Sequence, residues 1–180
     1  MDLREDADEK SKCWMCKSKA GHDITQITEK ETGNIFISDL SSAKCKYLIK
    51  SHQINAVVNV STIHYKPLTD HILEHDILDM PDQVLEHGFN KIYKFMESHL
   101  SVGTNVLVHC QAGISRSVSY VCYYLMRSQT ILFDDVLEIV SAKRAVANPN
   151  YAFKKELRAI DFGFDAKLDE MDKKTFSLKN

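Results

Sequence analysis

The side chains best suited to chemistry lie in one run, Cys110-Gln111-Ala112-Gly113-Ile114-Ser115-Arg116-Ser117. A cysteine thiol ionises near pH 8.5, and a neighbouring cation or helix N-terminus brings that down to about 3.5–7.5. Both influences are available here, so Cys110 is expected to be a thiolate nucleophile. The Arg116 guanidinium offers a planar fork of donors for two phosphate oxygens and for the charge that spreads over them during transfer. Ser117 is placed to hydrogen-bond the Cys110 sulfur, easing its departure when a phosphocysteine is hydrolysed. Gly113 gives the backbone freedom to curl around an anion. The N–H groups from Gln111 and Ala112 through Gly113, Ile114, Ser115 and Arg116 are expected to form the cradle. His109 is placed to brace this loop through its ring. A buried structural cysteine is the ordinary alternative, but it does not explain Gly, Arg and Ser at these offsets.

Such a loop needs a strand before it and a helix after it. Asn105 to Val108 is an apolar β-branched run that reads as a short buried strand, and apolar positions 118, 121, 122 and 125 have helical spacing. Upstream, Ile35-Phe36-Ile37 reads as an edge strand, with Asp39 or Ser38 capping a helix through Leu48-Ile49. Ile54 to Val60 reads as a buried strand, nearly continuous in apolar residues as parallel strands tend to be. Asn59 interrupts it, with local backbone partners as its simplest role. Ile72 to Leu78 is expected to be another strand and Asp79-Met80-Pro81-Asp82 the loop after it. Apolar residues at 85, 89, 92 and 96 predict a helix ending near Leu100. Phe133, Val136, Leu137 and Val140 predict another, started by Thr130 or by Asp134-Asp135. Pro149 stops it or separates it from a last helix carrying Phe153, Leu157 and Ile160. Strands alternating with helices, then helices alone, predict an α/β fold with a mostly parallel central sheet flanked by helices on both faces.

The loop residues resemble the cysteine-dependent protein phosphatases, whose motif reads His-Cys-x-x-Gly-x-x-Arg-Ser/Thr. Ala112 to Ser117, followed by Tyr124-Leu125-Met126, looks like the dual-specificity branch. Further similarity comes from Val57-Val58-Asn59-Val60 and from Ala147-Asn148-Pro149-Asn150-Tyr151-Ala152-Phe153 with Leu157. The likeness runs from about residue 30 to 162, departing at Ser51-His52-Gln53-Ile54 and Asn34-Ile35-Phe36-Ile37-Ser38-Asp39. It implies a protein tyrosine phosphatase-like fold and hydrolysis of phosphotyrosine and phosphoserine/phosphothreonine through a phosphocysteine, with no cofactor and no metal. It also implies that the Asn59 amide steadies the phosphate loop. The family places its general acid on a loop about thirty residues before the nucleophile. Asp79, 31 positions upstream and directly after an apolar strand, is the choice. Asp82 is the reserve, its other role being helix capping; Asp76 reads as structural. Lys143-Arg144 lies near where some relatives hold a second phosphate, although a solvated basic helix end is the plainer account.

The 180 residues suffice for one domain with a sizeable core. Three segments are expected: a polar N-terminal extension over 1–28, a catalytic domain over 29–162 and a charged C-terminal tail over 163–180. A net charge of -2 supplies no broad basic field, so neither nucleic acid nor an anionic membrane is an expected partner. A phosphorylated protein is, for example a protein kinase activation loop, with the chain a monomer or weak dimer. Five cysteines without a secretory signal predict free thiols in a reducing compartment. That means the cytoplasm, with the nucleus as the second location. Cys13-Trp14-Met15-Cys16 has zinc half-site spacing, but His22 alone does not complete four ligands. Competing functions are a phosphoinositide or RNA 5′-phosphate phosphatase, a rhodanese-type sulfur transferase, and a phosphate-reading scaffold without turnover. Lipid-directed relatives tend to carry loop lysines, whereas Gln111, Ala112, Ile114 and Ser115 are uncharged. The Cys-to-Arg spacing with Ser117 and an upstream Asp fits phosphate better than sulfur chemistry.

Overall fold

The computed structural model describes residues 23–162. Cys13, Trp14, Cys16, His22 and the tail over 163–180 lie outside the described residues. The elements in chain order are β1 (Ile24–Gln26), β2 (Ile35–Ser38), α1 (Leu40–Ala43), α2 (Lys46–Ser51), β3 (Ile54–Asn59) and β4 (His71–Glu74). Then follow α3 (Glu86–Leu100), β5 (Asn105–His109), α4 (Arg116–Gln129), α5 (Phe133–Lys143) and α6 (Tyr151–Arg158).

The five strands lie in the order β1-β2-β5-β3-β4, all parallel except β1, which runs antiparallel on β2. β5 is the middle strand, and its last residue, His109, pairs with Ser38 on one side and Asn59 on the other. The loop that follows therefore leaves the sheet where three parallel strands end together, the usual ligand edge of an open α/β sheet. Strand residues alternate between two cores. Ile35, Ile37, Ala56, Val58, Val106 and Val108 face α3 to α6. Phe36, Val57 and Leu107 face Ala43 of α1 and Ile49 of α2. Helices thus cover both faces, as the sequence predicts.

α4 is the pillar of the larger core. Every residue from Arg116 to Met126 is buried, so it is enclosed on all sides rather than along one stripe. Two of its buried hydroxyls are satisfied internally: Ser119 Oγ donates to Ser115 O at 2.9 Å and Tyr120 Oη to Leu85 O at 3.2 Å. α3 buries Phe89, Ile92, Met96 and Leu100 at the predicted spacing.

Several expectations are corrected. β2 is not an edge strand: β1 covers its free side, and residues 24–26, read as part of the polar extension, are the sheet margin. The helix from Asp39 is two short ones, with Asp39 capping α1 by accepting from Ser42 N at 2.6 Å. β4 stops at Glu74, opposite Asn59 where its one partner β3 ends; Asp76 lies just past it and pairs with His64 at 3.1 Å. Thr130 does not start α5 but ends α4 in the left-handed region, φ 54°. Of the two roles expected of Pro149 the second holds: α5 already ends at Lys143, and Pro149 separates it from α6, where it precedes Asn150, whose side chain caps α6 by accepting from Phe153 N at 3.0 Å.

Candidate active site

The turn from β5 into α4 curls around the Cys110 sulfur. Gly113 N donates to Sγ at 3.2 Å, and Ser117 Oγ lies 3.3 Å from the same atom. Gly113 stands at φ +66°, and a Cβ there would come within 2.6 Å of Ser38 O. The position therefore demands glycine twice over, by conformation and by space. Ser115 occupies the N-cap of α4, yet its side chain does not cap the helix. Its hydroxyl instead donates to Asp79 Oδ1 at 2.7 Å. The first turn of α4 thus has no side-chain cap from Ser115, and the Ser117 N–H is among the donors at the Cys110 sulfur, a helix end that favours an anion.

The electrostatics follow from burial set against donors. Burial pushes the Cys110 thiol up. The Ser117 hydroxyl and N–H, the Arg116 charge and the Gly113 N–H outweigh it, so the thiol lies below its ordinary value. Arg116 is buried, and its Nη1 donates to Ile77 O at 3.1 Å. Its buried Nε has no hydrogen-bond partner among the described residues. A buried guanidinium donor left open beside an ionisable thiol is suited to a phosphate oxygen.

His109 is fully buried, and its two ring nitrogens have different partners. Nδ1 lies 3.3 Å from Cys110 O and Nε2 lies 2.9 Å from Tyr65 Oη. A carbonyl can only accept, so Nδ1 carries the proton and the tyrosine hydroxyl donates to Nε2. Burial is the main reason its pKa falls to about 4. The ring braces the loop as a neutral group.

Asp79 is exposed on the loop after β4 and faces the nucleophile loop. Its Oδ1 accepts from Ser115 Oγ at 2.7 Å and from Asn150 Nδ2 at 2.8 Å. Exposed Gln111, Ala112 and Ile114 form the uncharged lip of the cradle. Asp82 lines a small cavity with His75, Ile77 and His87. Cys110, Arg116, Ser117, Gly113, Ser115, His109 and Asp79 thus come together around one point.

Two sequence expectations need correction here. Asn59 does not contact the nucleophile loop: its amide donates to Ile63 O at 3.0 Å and its Oδ1 accepts from Ser61 Oγ at 2.7 Å. It shapes the segment after β3, from which Tyr65 reaches His109. Arg144 is neither a solvated helix end nor open to a second phosphate. It is buried, and its Nε donates to Gly113 O at 2.7 Å. The sequence reading does not name Tyr65, and it names Arg144 and Asn150 without these contacts. The stretch around Asn150 carried the family likeness; Tyr65 had no signal, since only the fold brings it to His109.

A family model described as dual specificity phosphatase, catalytic domain, matches residues 35–161. Among curated relatives, dual specificity protein phosphatase 1B of Arabidopsis thaliana is 30% identical over 79% of this chain and 84% of its own length. Mouse dual specificity protein phosphatase 15 is 34% identical over 63% of this chain and 50% of its own. The chain thus spans only half of that relative, and 35% of the Drosophila melanogaster phosphatase MPK-4. The crystal structure of DUSP15 superposes with a TM-score of 0.73 at 27% identity, covering 86% of this chain and 97% of that one. The Yvh1 phosphatase domain of Chaetomium thermophilum gives 0.68 at 28% identity, covering 76% and 94%.

Proposed function

Since the chain belongs to the dual specificity phosphatase family and is a protein phosphatase, we propose that Cys110, Arg116, Ser117 and Asp79 carry its reaction. The thiolate of Cys110 attacks phosphorus and the bond to the substrate oxygen breaks. Asp79 gives the departing oxygen a proton. Arg116 and the loop N–H groups hold the equatorial oxygens as their charge grows. Water, deprotonated by the now ionised Asp79, then attacks the phosphocysteine, and Ser117 donates to the leaving sulfur. Inorganic phosphate departs and the thiolate returns. The observation that carries this reading is the Cys110 sulfur held by Gly113 N–H and Ser117 Oγ in one loop with the buried Arg116 guanidinium, whose Nε has no hydrogen-bond partner among the described residues.

The substrate we propose is a phosphorylated protein side chain, phosphotyrosine or phosphoserine/threonine, in an exposed segment such as a kinase activation loop. The surroundings support it: Leu78, Met80, Ile114 and Tyr151 are exposed apolar neighbours of residues bonded in the Asp79 cluster. They suit a peptide carrying one phosphate better than a polyphosphorylated headgroup. A cytoplasmic location, with the nucleus as the second, and a monomeric or weakly dimeric state complete the proposal. Steady-state kinetics on singly and doubly phosphorylated peptides beside phosphoinositides test it. Higher kcat/KM on a phosphoinositide would overturn the substrate assignment, and no turnover of any ester would leave the scaffold reading.

A further inference from the structure

The first strand lies before residue 35, where the family match begins, yet it reaches the nucleophile loop through one side chain. Arg144 follows α5 and is 6% exposed, whereas Asp23 is 68% exposed. The Arg144 fork divides its donors. Nε binds Gly113 O at 2.7 Å, while Nη1 binds Asp23 Oδ1 at 3.0 Å and Thr25 Oγ1 at 2.8 Å. Thr25 Oγ1 in turn donates to Asp23 Oδ2 at 3.3 Å, closing the group. From this arrangement we infer that Asp23, Thr25 and Arg144 are positioning residues of the phosphatase, by which the N-terminal segment holds the Gly113–Ile114 peptide with its carbonyl turned away from the anion cradle.

The physical reason lies in that peptide. The Gly113 carbonyl points at Arg144, so in the trans Gly113–Ile114 peptide the Ile114 N–H points the opposite way, while the preceding peptide gives its Gly113 N–H to the Cys110 sulfur. Glycine at positive φ is free to reorient, and a carbonyl turned inward would put a negative dipole where a phosphate oxygen must sit. A charge-assisted bond from a buried guanidinium opposes that turn. The guanidinium is itself aimed by Thr25 Oγ1 of the first strand and Asp23 Oδ1 just before it. A lysine could not serve, since one ammonium lacks the fork that spans carbonyl and carboxylate together.

The inference rests on Cys110 being the nucleophile, and the test separates the two. Asp23→Asn and Thr25→Val, singly and combined in the full chain, are compared for the pH dependence of Cys110 alkylation by iodoacetate, inhibition by vanadate and kcat/KM on a phosphopeptide. A brace predicts that the alkylation midpoint moves up, vanadate binds more weakly, and kcat/KM falls about tenfold in the double variant, less than the about 10²-fold that a 1 Å misplacement can cost. Thr25→Ser keeps the hydroxyl and should restore all three. A bare charge effect has the opposite sign: neutralising Asp23 would unmask Arg144, lower the midpoint and tighten vanadate. Either that reversal or wild-type profiles throughout would overturn the brace while leaving Cys110 as nucleophile. Undiminished turnover in Cys110→Ser would overturn the reading beneath it. Arg144→Lys, which keeps the charge, should behave like the double variant.

Discussion

At Cys110 the energetic balance is between desolvation and donors, and the donors win. Cys110→Ser should abolish turnover and retain phosphate binding, because a serine hydroxyl will not ionise in that cradle; residual turnover in pure protein would contradict it. Arg116→Lys should be severely impaired in kcat, since a point charge cannot replace the fork. Near-normal kcat would make Arg116 structural. For Asp79→Asn, a loss of about 10²–10⁴-fold is expected on alkyl phosphates, and little on aryl esters whose phenolate departs unaided. The same pattern in Asp82→Asn and not in Asp79→Asn would move the acid three residues along. His109 supplies a pH signature of another kind. Its folded pKa of about 4 lies below the ordinary 6.5, so the unfolded chain binds more protons between those values. Stability should therefore fall as pH drops from 6.5 towards 4, by up to about 3 kcal/mol. His109→Gln should flatten that part of the unfolding curve, as denaturant titrations across this range can check.

Elements here stabilise one another at their ends. Asp39 caps α1 and Asn150 caps α6 locally, but α3 begins without a cap of its own. The Glu156 carboxylate of α6 meets it across the molecule, accepting from Leu85 N at 2.9 Å and Glu86 N at 2.8 Å. Loss of a cap costs about 0.5–2 kcal/mol, and the acid also complements the helix dipole. Glu156→Ala should lower the unfolding free energy by that amount and leave the Cys110 alkylation profile in place. Gly113→Ala should do the reverse, because its Cβ would press on Ser38 O within the catalytic turn. Its activity should collapse while the helical signal by circular dichroism is kept.

Over the whole molecule, the same architecture sorts the thiols. Cys122 sits in the middle of α4, where burial pushes its thiol up to about 12, and Cys45 is buried on the other face of the sheet. Thiolate character governs peroxide sensitivity, so mild oxidation should modify Cys110 before either of them. Mass spectrometry showing Cys122 or Cys45 modified first would contradict that ordering. The sheet order explains why one edge carries the chemistry. β5 between β2 and β3 brings Ser38, Asn59 and His109 to a common level, and the catalytic loop, the Asp39 turn and the Tyr65 segment all leave from it.

The sequence by itself picked out the Cys110–Ser117 loop, because a strand, these eight residues and a helix are contiguous and each type answers a local chemical need. It determined the fold class as well, since alternation and helical spacing are short-range properties of the chain. What only the tertiary structure decided was every role that spans the chain. Asp79 meets Ser115 and Asn150, which lie 36 and 71 positions away. Tyr65 meets His109 at a separation of 44, and Arg144 reaches Asp23 at 121. Side chains such as Asn59 and Arg144 have several possible partners within reach of their functional groups. Local pattern does not rank those partners; strand order and helix packing do, by setting which donor is buried against which acceptor. The edge strand β1 illustrates the point, for three residues with one buried side chain look like an extension until β2 supplies the ladder that makes them sheet.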